Sequence, residues 1–233
     1  MAVAWRCVAL LWEVCLLLID NALSFDIECA QIRRFQVLNF NPEKHEYSLP
    51  TGEVLISVTQ VIERSGLVDT SHFTEFHRLR GQAVHMACEY DDQGCLDESS
   101  VDPRILPYVE AYRRFKAEVE FAWEGVEDRR WHRVFRYAGT IDRWGLMHLD
   151  GELVPVVLDL KSGVPEACWG IQLAAYSHLL DQPECYRRAV LRLKKEGQYD
   201  LRELPHSEAA EDWSTFVSLM NVLRWKAKHG RAA

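Results

Sequence analysis

Two charged residues at the end of an apolar segment suggest where the chemistry of this chain is located. The segment 153–160 reads LVPVVLDL and is apolar except for Asp159, and Lys161 follows it. Such a segment is typical of a strand buried on both faces. Side chains alternate along a strand, so Asp159 and Lys161 point to the same side. A charged pair there is costly unless it is neutralised or binds a metal ion, and alone it favours a simple salt bridge.

A second carboxylate, Asp142, precedes Asp159 by 17 residues. The turn signal Asp150-Gly151 between them predicts an antiparallel hairpin that brings both carboxylates near one end. Two converging carboxylates supply the hard oxygen ligands that Mg²⁺ or Mn²⁺ prefers. Lys161 beside them could polarise a water molecule or stabilise charge that develops on a phosphoryl group. The three residues therefore predict metal-assisted chemistry on a phosphate ester.

Four other polar residues accompany these three along the chain. Gln172 and Tyr176 are four positions apart and share one face of the helix predicted after the 153–160 strand. Their amide and phenol could hold a phosphate or a base without adding charge, although a buried tyrosine hydrogen-bonded to a glutamine is the simpler interpretation of the pair alone. His85 and Glu127, taken singly, are typical of structural or surface residues.

The elements that must position these residues follow from the hydrophobic pattern. Segment 35–53 alternates and contains turn residues, which predicts a pair of β-hairpins. Ser57 or Thr59 can cap the next helix, whose apolar face carries Val58, Val61 and Ile62. Apolar spacing then predicts helices over 70–91 and 103–121.

The second half of the chain alternates strands with helices. Strands are predicted over 126–144, with a break at Gly139, and over 153–160, followed by a helix over 168–180. Strands over 189–193 and 201–204 surround the turn Glu196-Gly197, and a helix over 208–229 closes the chain. This order predicts an α/β fold with a mixed central β-sheet flanked by helices.

The composition is that of one globular domain with additions. The chain has 233 residues, 48% of them hydrophobic and 27% charged, and its formal net charge of -8 argues against a histone-like nucleic-acid binder. Positive charge is nevertheless clustered locally, in Arg129, Arg130, Arg133 and Arg136 and again in Arg187, Arg188, Arg192, Lys194 and Lys195. Each cluster is either a solvated face or a guide for a nucleic-acid strand.

Residues 1–34 form an apolar extension of uncertain role. The run CVALLWEVCLLLI over 7–19 is similar to a signal-peptide core, but it is short for a membrane span and Glu13 interrupts it. It is a signal or anchor, an additional helix, or sequence translated upstream of the true start, and the last two together are favoured. Seven scattered cysteines without C-x-x-C spacing predict reduced thiols, no zinc ribbon and a cytoplasmic location.

Taken together, the ordered motifs resemble the PD-(D/E)xK nuclease superfamily, specifically its RecB-like exonuclease branch. The resemblance covers roughly 35–193, and the segment HEYSLPTGEVLISVTQVI is similar to the start of phage and bacterial members. A nuclease domain is therefore expected over 35–233. Five elements in the right order are far more specific than any one; they are Gly81…His85, Glu127, Gly139-Thr140-Ile141-Asp142, Asp159-Leu160-Lys161 and Gln172…Tyr176.

The resemblance implies a metal centre and a catalytic lysine. Asp142, Asp159 and the backbone carbonyl of Leu160 would bind Mg²⁺, or alternatively Mn²⁺, with His85 as an additional ligand. Lys161 would position or activate the attacking water. The implied reaction is phosphodiester hydrolysis that leaves a 5′-phosphate and a 3′-hydroxyl.

Supporting roles are also implied by the resemblance. Glu127 would support the metal or a water, and Gln172 and Tyr176 would contact and orient the nucleic acid. The implied fold is restriction-endonuclease-like, a mixed four- or five-stranded sheet flanked by helices. Members with an iron–sulfur cluster carry cysteines C-terminal to the core, and because none follows Cys185 no cluster is expected.

The leading expectation is a DNA exonuclease of repair, recombination or phage DNA processing, with single-stranded DNA or duplex ends as its partner. The chain has no helicase motif and no G-x-x-x-x-G-K-[ST] loop, so it would act without ATP, alone or in a repair or recombination complex. The alternatives are a structure-specific endonuclease or RNase, a secreted or anchored protein, and a non-catalytic nucleic-acid-binding or assembly subunit on the same fold. Retention of Asp142, Asp159 and Lys161 argues against the non-catalytic subunit.

Overall fold

The computed structural model describes residues 38–68, 74–163 and 167–230. The predicted extension 1–34 and the start of the helix predicted over 70–91 lie outside these ranges. Within them, no helix is long and apolar enough to cross a membrane. The strands are β1 (Asn39–Asn41), β2 (Glu46–Ser48), β3 (Val54–Ser57), β4 (Phe121–His132), β5 (Tyr137–Leu149), β6 (Glu152–Lys161), β7 (Arg187–Leu193) and β8 (Tyr199–Leu204). The helices are α1 (Val58–Ser65), α2 (Glu75–Asp92), α3 (Leu106–Glu118), α4 (Trp169–Ser177) and α5 (Ala209–Lys228).

All eight described strands form one mixed sheet. Its order is β1-β2-β3-β5-β6-β7-β8, and β4 pairs with β5 as well. The pairs β3–β5 and β6–β7 are parallel, whereas the other pairs are antiparallel. The predicted α/β fold with a mixed sheet flanked by helices is confirmed, with eight strands rather than the four or five that the resemblance implies.

The sheet separates two apolar layers because its side chains alternate. Val157 of β6 and Val190 of β7 face a layer formed with α1, α4 and α5. The next residue of each strand, Leu158 and Leu191, faces a second layer formed with α2 and α3. The strand predicted over 153–160 is thus buried on both faces, as its apolar sequence indicated.

The predicted start of α1 is confirmed in detail. Ser57 accepts a hydrogen bond from the backbone N–H of Gln60, and the Gln60 side chain accepts one from the backbone N–H of Ser57. This capping box satisfies N–H groups that the first helical turn cannot pair. The apolar face of Val58, Val61 and Ile62 is buried, as predicted.

The predicted break at Gly139 is wrong. The chain turns earlier, between His132 at the end of β4 and Tyr137 at the start of β5. The His132 ring Nδ1 accepts from the backbone N–H groups of Val134 and Phe135, at 3.2 and 3.1 Å. Gly139 lies inside β5, where an added Cβ would be 2.8 Å from Cε1 of Tyr176. The glycine therefore permits close packing of a helix on the strand.

Four of the seven cysteines lie in the part of the chain that the structure describes. Cys88 and Cys168 are buried, whereas Cys95 and Cys185 are exposed. Half of these four therefore serve as small core residues.

Candidate active site

The predicted site residues converge where β5 and β6 separate. The two strands pair up to Arg143 opposite Leu158, so Asp142 and Asp159 come next at the open end of the predicted hairpin. There the backbone N–H of Leu160 donates to Oδ2 of Asp142 at 2.6 Å. A carboxylate thus takes the place of a backbone acceptor between the strands, and this fixes Asp142 at the gap.

A first group of ligand atoms gathers at this gap. His85 Nδ1 lies 3.5 Å from Oε1 of Glu127 and 3.6 Å from Oδ1 of Asp142. Its other nitrogen, Nε2, lies 3.0 Å from the carbonyl oxygen of Leu160. One ligand atom from each of His85, Glu127 and Asp142 lies within 4.8 Å of the others. Two carboxylates and one imidazole nitrogen are a donor set that fits a divalent cation, whereas the Leu160 carbonyl lies at the other ring nitrogen.

Glu127 reaches this group through an unusual backbone conformation. It lies in β4 between the pairs Val126–Arg143 and Asp128–Ile141, which places it opposite Asp142. Its φ is 47°, in the left-handed region that costs a non-glycine residue about 1–2 kcal/mol. The paired neighbours on both sides hold this conformation, which aims the carboxylate at His85.

Strict alternation in β5 also breaks at this point. Asp142 faces His85 of α2, and the next residue, Arg143, contacts Asp92 of the same helix. The flanking residues Ile141 and Trp144 both pack in the opposite layer. Two successive polar side chains therefore point to the same side of the sheet.

The sequence did not identify Arg143, whose side chain is fully buried beside the site. Its guanidinium lies 2.8 Å from Oδ2 of Asp92, 3.4 Å from Oε1 of Glu127 and 3.1 Å from the Tyr112 hydroxyl, and it donates to the Asp142 carbonyl at 2.6 Å. The one available signal was an arginine inside an otherwise buried strand, which requires partners for its charge.

A second group lies on the α4 side of β6. Lys161 Nζ is 2.7 Å from Oδ2 of Asp159 and donates to Oε1 of Gln172 at 3.1 Å. Gln172 Nε2 donates to Oδ1 of Asp159 and to the Tyr176 hydroxyl, both at 3.2 Å. The predicted shared face of Asp159 and Lys161 and the predicted contact of Gln172 with Tyr176 are confirmed. Both carboxylate oxygens of Asp159 are therefore engaged, and the side chains that could share one metal ion, among the described residues, are His85, Glu127 and Asp142.

Burial and charge shift the protonation of both groups. Burial lowers the pKa of His85, but the carboxylates of Asp142 and Glu127 outweigh it and raise that pKa to about 9. Burial likewise lowers the pKa of Lys161, yet Asp159 and Asp142 raise it above its ordinary value. Burial raises the pKa of Asp159 to about 6, although the Lys161 ammonium opposes the rise. The site thus concentrates negative charge that favours a cation, and Lys161 is an ammonium at neutral pH.

Both groups open into one cleft of about 920 Å³. His85, Leu160, Lys161 and Gln172 lie along it. Its cations are Arg78, Arg80, Arg192, Lys194 and Lys195, and its acids outside the site are Glu63, Glu75 and Glu196. The site is therefore reached through a cleft whose walls carry more cations than acids, in a chain that is acidic as a whole.

The first basic cluster is largely neutralised by its neighbours. Arg130 pairs with Asp128 at 2.8 Å, Arg136 pairs with Glu53, and the guanidinium of Arg129 lies over the ring of Phe40. Arg133 is exposed in the turn after β4. This cluster therefore matches a solvated, paired face better than a guide for a strand.

The second basic cluster divides between the two faces of β7. Arg188 is 2% exposed and donates to the carbonyls of Gly170 and Pro205, so it is a structural residue. Arg187 pairs with Glu203 on the opposite face. Arg192 is the register partner of Lys161 in the parallel pair β6–β7 and reaches the cleft.

Comparison with known proteins names no family for this chain. No family model matches it, and no curated protein matches it. A solved structure described as "Crystal structure of SSO0001" is 16% identical, with 70% of this chain and 84% of that chain covered, and the TM-score is 0.28. A likeness of this size carries no functional argument.

Proposed function

We propose that this protein is a metal-dependent nuclease that hydrolyses phosphodiester bonds, and that it acts on DNA as an exonuclease. The observation that supports the proposal is the convergence of His85, Glu127 and Asp142 on one point beside the Asp159–Lys161 pair. His85 and Lys161 of this arrangement line a cleft whose other charged residues are mainly cations, as a polyanionic substrate requires.

The donor set fits Mg²⁺ or Mn²⁺. His85, through Nδ1, together with Glu127 and Asp142 would hold the ion, and the Leu160 carbonyl at Nε2 would orient the imidazole. The same negative charge that raises the pKa of His85 would attract the cation. Such an ion, when bound, would supply Lewis-acid stabilisation of charge on the phosphate oxygens. Few protein ligands suffice because Mg²⁺ completes its shell with water and substrate phosphate.

Lys161 would provide the second positive charge at the scissile phosphate. An ammonium has three N–H donors, and Asp159 and Gln172 engage two of them. No group in the described part of the chain accepts from the third, which would be available to a phosphate oxygen or to the attacking water. Asp159 and Gln172 thereby aim the ammonium before substrate arrives, which is how preorganised charge lowers a barrier.

The test is digestion of end-labelled linear DNA and of closed circular DNA with Mg²⁺, Mn²⁺ or EDTA. Lys161→Ala is compared with Lys228→Ala, the same substitution at an exposed position of α5. We expect metal-dependent loss of linear DNA by the parent and by Lys228→Ala, with at least a hundredfold lower rate for Lys161→Ala, as for loss of one stabilising donor.

Other outcomes correct or refute the proposal. Cleavage of circular DNA would show that the activity is that of an endonuclease and not of an exonuclease. Cleavage of RNA alone would show that it is that of an RNase. Equal rates for Lys161→Ala and Lys228→Ala would refute the site. No cleavage with either metal would refute the nuclease and favour a binding or assembly subunit.

A further inference from the structure

The cleft beside the site has two chemically different surfaces. Arg80, Arg192 and Lys194 lie along it. So do the apolar side chains of Ile62, Val68 and Trp169, which all pack in the layer of α1, α4 and α5. We refer to the three cations as the basic rim and to the three apolar residues as the apolar floor.

Two of the three cations of the basic rim lack a close ion pair in the part of the chain that the structure describes, and the third, Arg192, pairs at long distance with the exposed Asp200. Within the described ranges, Arg80 and Lys194 have no carboxylate within 4.0 Å, and Arg192 is 3.9 Å from Asp200. Arg80 donates to the carbonyl of Ser162 at 3.2 Å, while its Nε is buried without a partner in this part of the chain. Positive charge that is unpaired among the described residues, as on Arg80 and Lys194, or paired only at long distance, as on Arg192, is suited to bind an anion.

The basic rim continues directly from the proposed catalytic residues. Lys161 and Arg192 are register partners in neighbouring parallel strands, and such strands lie about 4.8 Å apart. Their long side chains can therefore contact phosphates of one strand at the same time.

We propose that this cleft binds single-stranded nucleic acid, with phosphates on the basic rim and bases on the apolar floor; this inference rests on the proposed function and specifies its substrate. A duplex keeps its base faces inside the stack and presents only phosphates and groove edges. A single strand exposes base faces and phosphates together, so it uses both surfaces.

The test measures binding in EDTA, so that no cleavage takes place. Fluorescence anisotropy compares a labelled oligothymidine with a blunt duplex of the same length, and with a single strand of abasic sites that keeps every phosphate. We expect the oligothymidine to bind at least tenfold more tightly than either, because neither of the other two can place exposed bases on the apolar floor.

Charge variants locate the binding. Arg192→Gln and, as a second variant, Lys194→Gln should each weaken oligothymidine binding and reduce the slope of log affinity against log salt by about 0.7. Arg187→Gln is the matched control, because it removes the same charge from the same strand on the opposite face. Its affinity and salt slope should equal those of the parent.

The inference is overturned if the duplex or the abasic strand binds as tightly as oligothymidine, or if Arg192→Gln and Lys194→Gln both behave like Arg187→Gln. Two results separate failure of this inference from failure of the proposed nuclease function. Metal- and Lys161-dependent cleavage of duplex ends with equal binding of both forms would refute only the single-strand inference. A single strand that binds but is never cleaved would refute the nuclease.

Discussion

Gln172 joins the charged residues of the second group through one amide. Its oxygen accepts from Lys161, and its nitrogen donates to Asp159 and Tyr176. The side chain is 8% exposed, so these three hydrogen bonds use most of its hydrogen-bonding capacity. At the residue scale, Gln172 is thus placed to position Lys161 as well as to take the nucleic-acid contact that the resemblance implies.

We expect Gln172→Ala to lower kcat about ten- to a hundredfold with little change in KM. Lys161 and Asp159 would each lose a hydrogen bond to a charged group, worth roughly 1.5–3 kcal/mol. Steady-state kinetics on a labelled strand would measure both constants. Gln93→Ala, at an exposed position, should leave both unchanged. A raised KM at constant kcat would instead place Gln172 on the nucleic acid.

Sequence periodicity predicted some contacts of the site and not others. Alternation along β6 predicted the shared face of Asp159 and Lys161, and helical spacing predicted that Gln172 and Tyr176 meet. The position of Arg143 was not predictable in this way, because alternation fails after Asp142. That failure depends on pairing with β4 and on the left-handed backbone of Glu127, which no local pattern in the sequence indicates.

At the scale of elements, Arg143 ties β5 to two helices. Its guanidinium contacts Asp92 of α2 and the Tyr112 hydroxyl of α3, and Tyr112 in turn donates to Asp92 at 2.7 Å. The network is buried within the layer that carries His85. It therefore sets the distance between α2 and the strand that holds Asp142.

We expect Arg143→Met to lower the free energy of unfolding by about 3–5 kcal/mol, because the partly buried carboxylates of Asp92 and Glu127 would both lose the guanidinium. Asp92 would keep its ion pair with Lys116. Urea unfolding would measure the change. Arg113→Met is the matched control in the same two helices; its pair with Asp91 is 42% exposed on the arginine side and should contribute under about 1 kcal/mol. Equal losses for both variants would contradict the buried-network interpretation.

The boundaries of the elements show where local signals are reliable. Helices predicted over 103–121, 168–180 and 208–229 match α3, α4 and α5 to within three residues at each end. The turn after β4 was missed because it contains no glycine, proline or asparagine: Arg136 adopts a φ of 49°, and His132 supplies the acceptor for its N–H groups. The His132 side chain there accepts the backbone N–H groups of the turn, as asparagine and aspartate side chains usually do.

At the scale of the whole molecule, hydrophobic periodicity does not predict which strands pair when they lie far apart in the sequence. β3 pairs with the start of β5, some 80 residues later, through only two residue pairs, Ile56–Tyr137 and Ser57–Ala138. This contact attaches the three short N-terminal strands to the main sheet. Such pairing is chosen by packing of the complete fold, which is why eight strands are present where four or five were implied.

The dependence of the molecule's stability on pH should involve His178. This residue follows α4, and its ring stacks on that of Trp213 in α5 with 3.7 Å between the ring centroids. Burial, and then the positive charge of His132, lower the pKa of His178 to about 4, although Glu184 opposes the shift. In the unfolded chain the group titrates near 6.5. The free energy of unfolding is therefore not reduced by this group above pH 6.5. As the pH falls towards 4, the unfolded chain takes up a proton that the folded chain does not, and this lowers the free energy of unfolding.

We expect His178→Phe to flatten the dependence of unfolding free energy on pH between 6.5 and 4, since phenylalanine keeps the stacking and takes up no proton. Urea unfolding at a series of pH values would measure this. His206→Phe, at an exposed position, should follow the parent. An unchanged acid dependence in His178→Phe would show that other groups control it.

The placement of the site between the two apolar layers has a consequence for the molecule as a whole. His85 stands on α2 in one layer and Gln172 on α4 in the other, and β5 and β6 carry the residues between them. Neither layer contains a complete set of catalytic groups. If the proposed activity holds, loss of packing in either layer would separate the proposed catalytic groups, so activity should fall together with, or before, the loss of the fold.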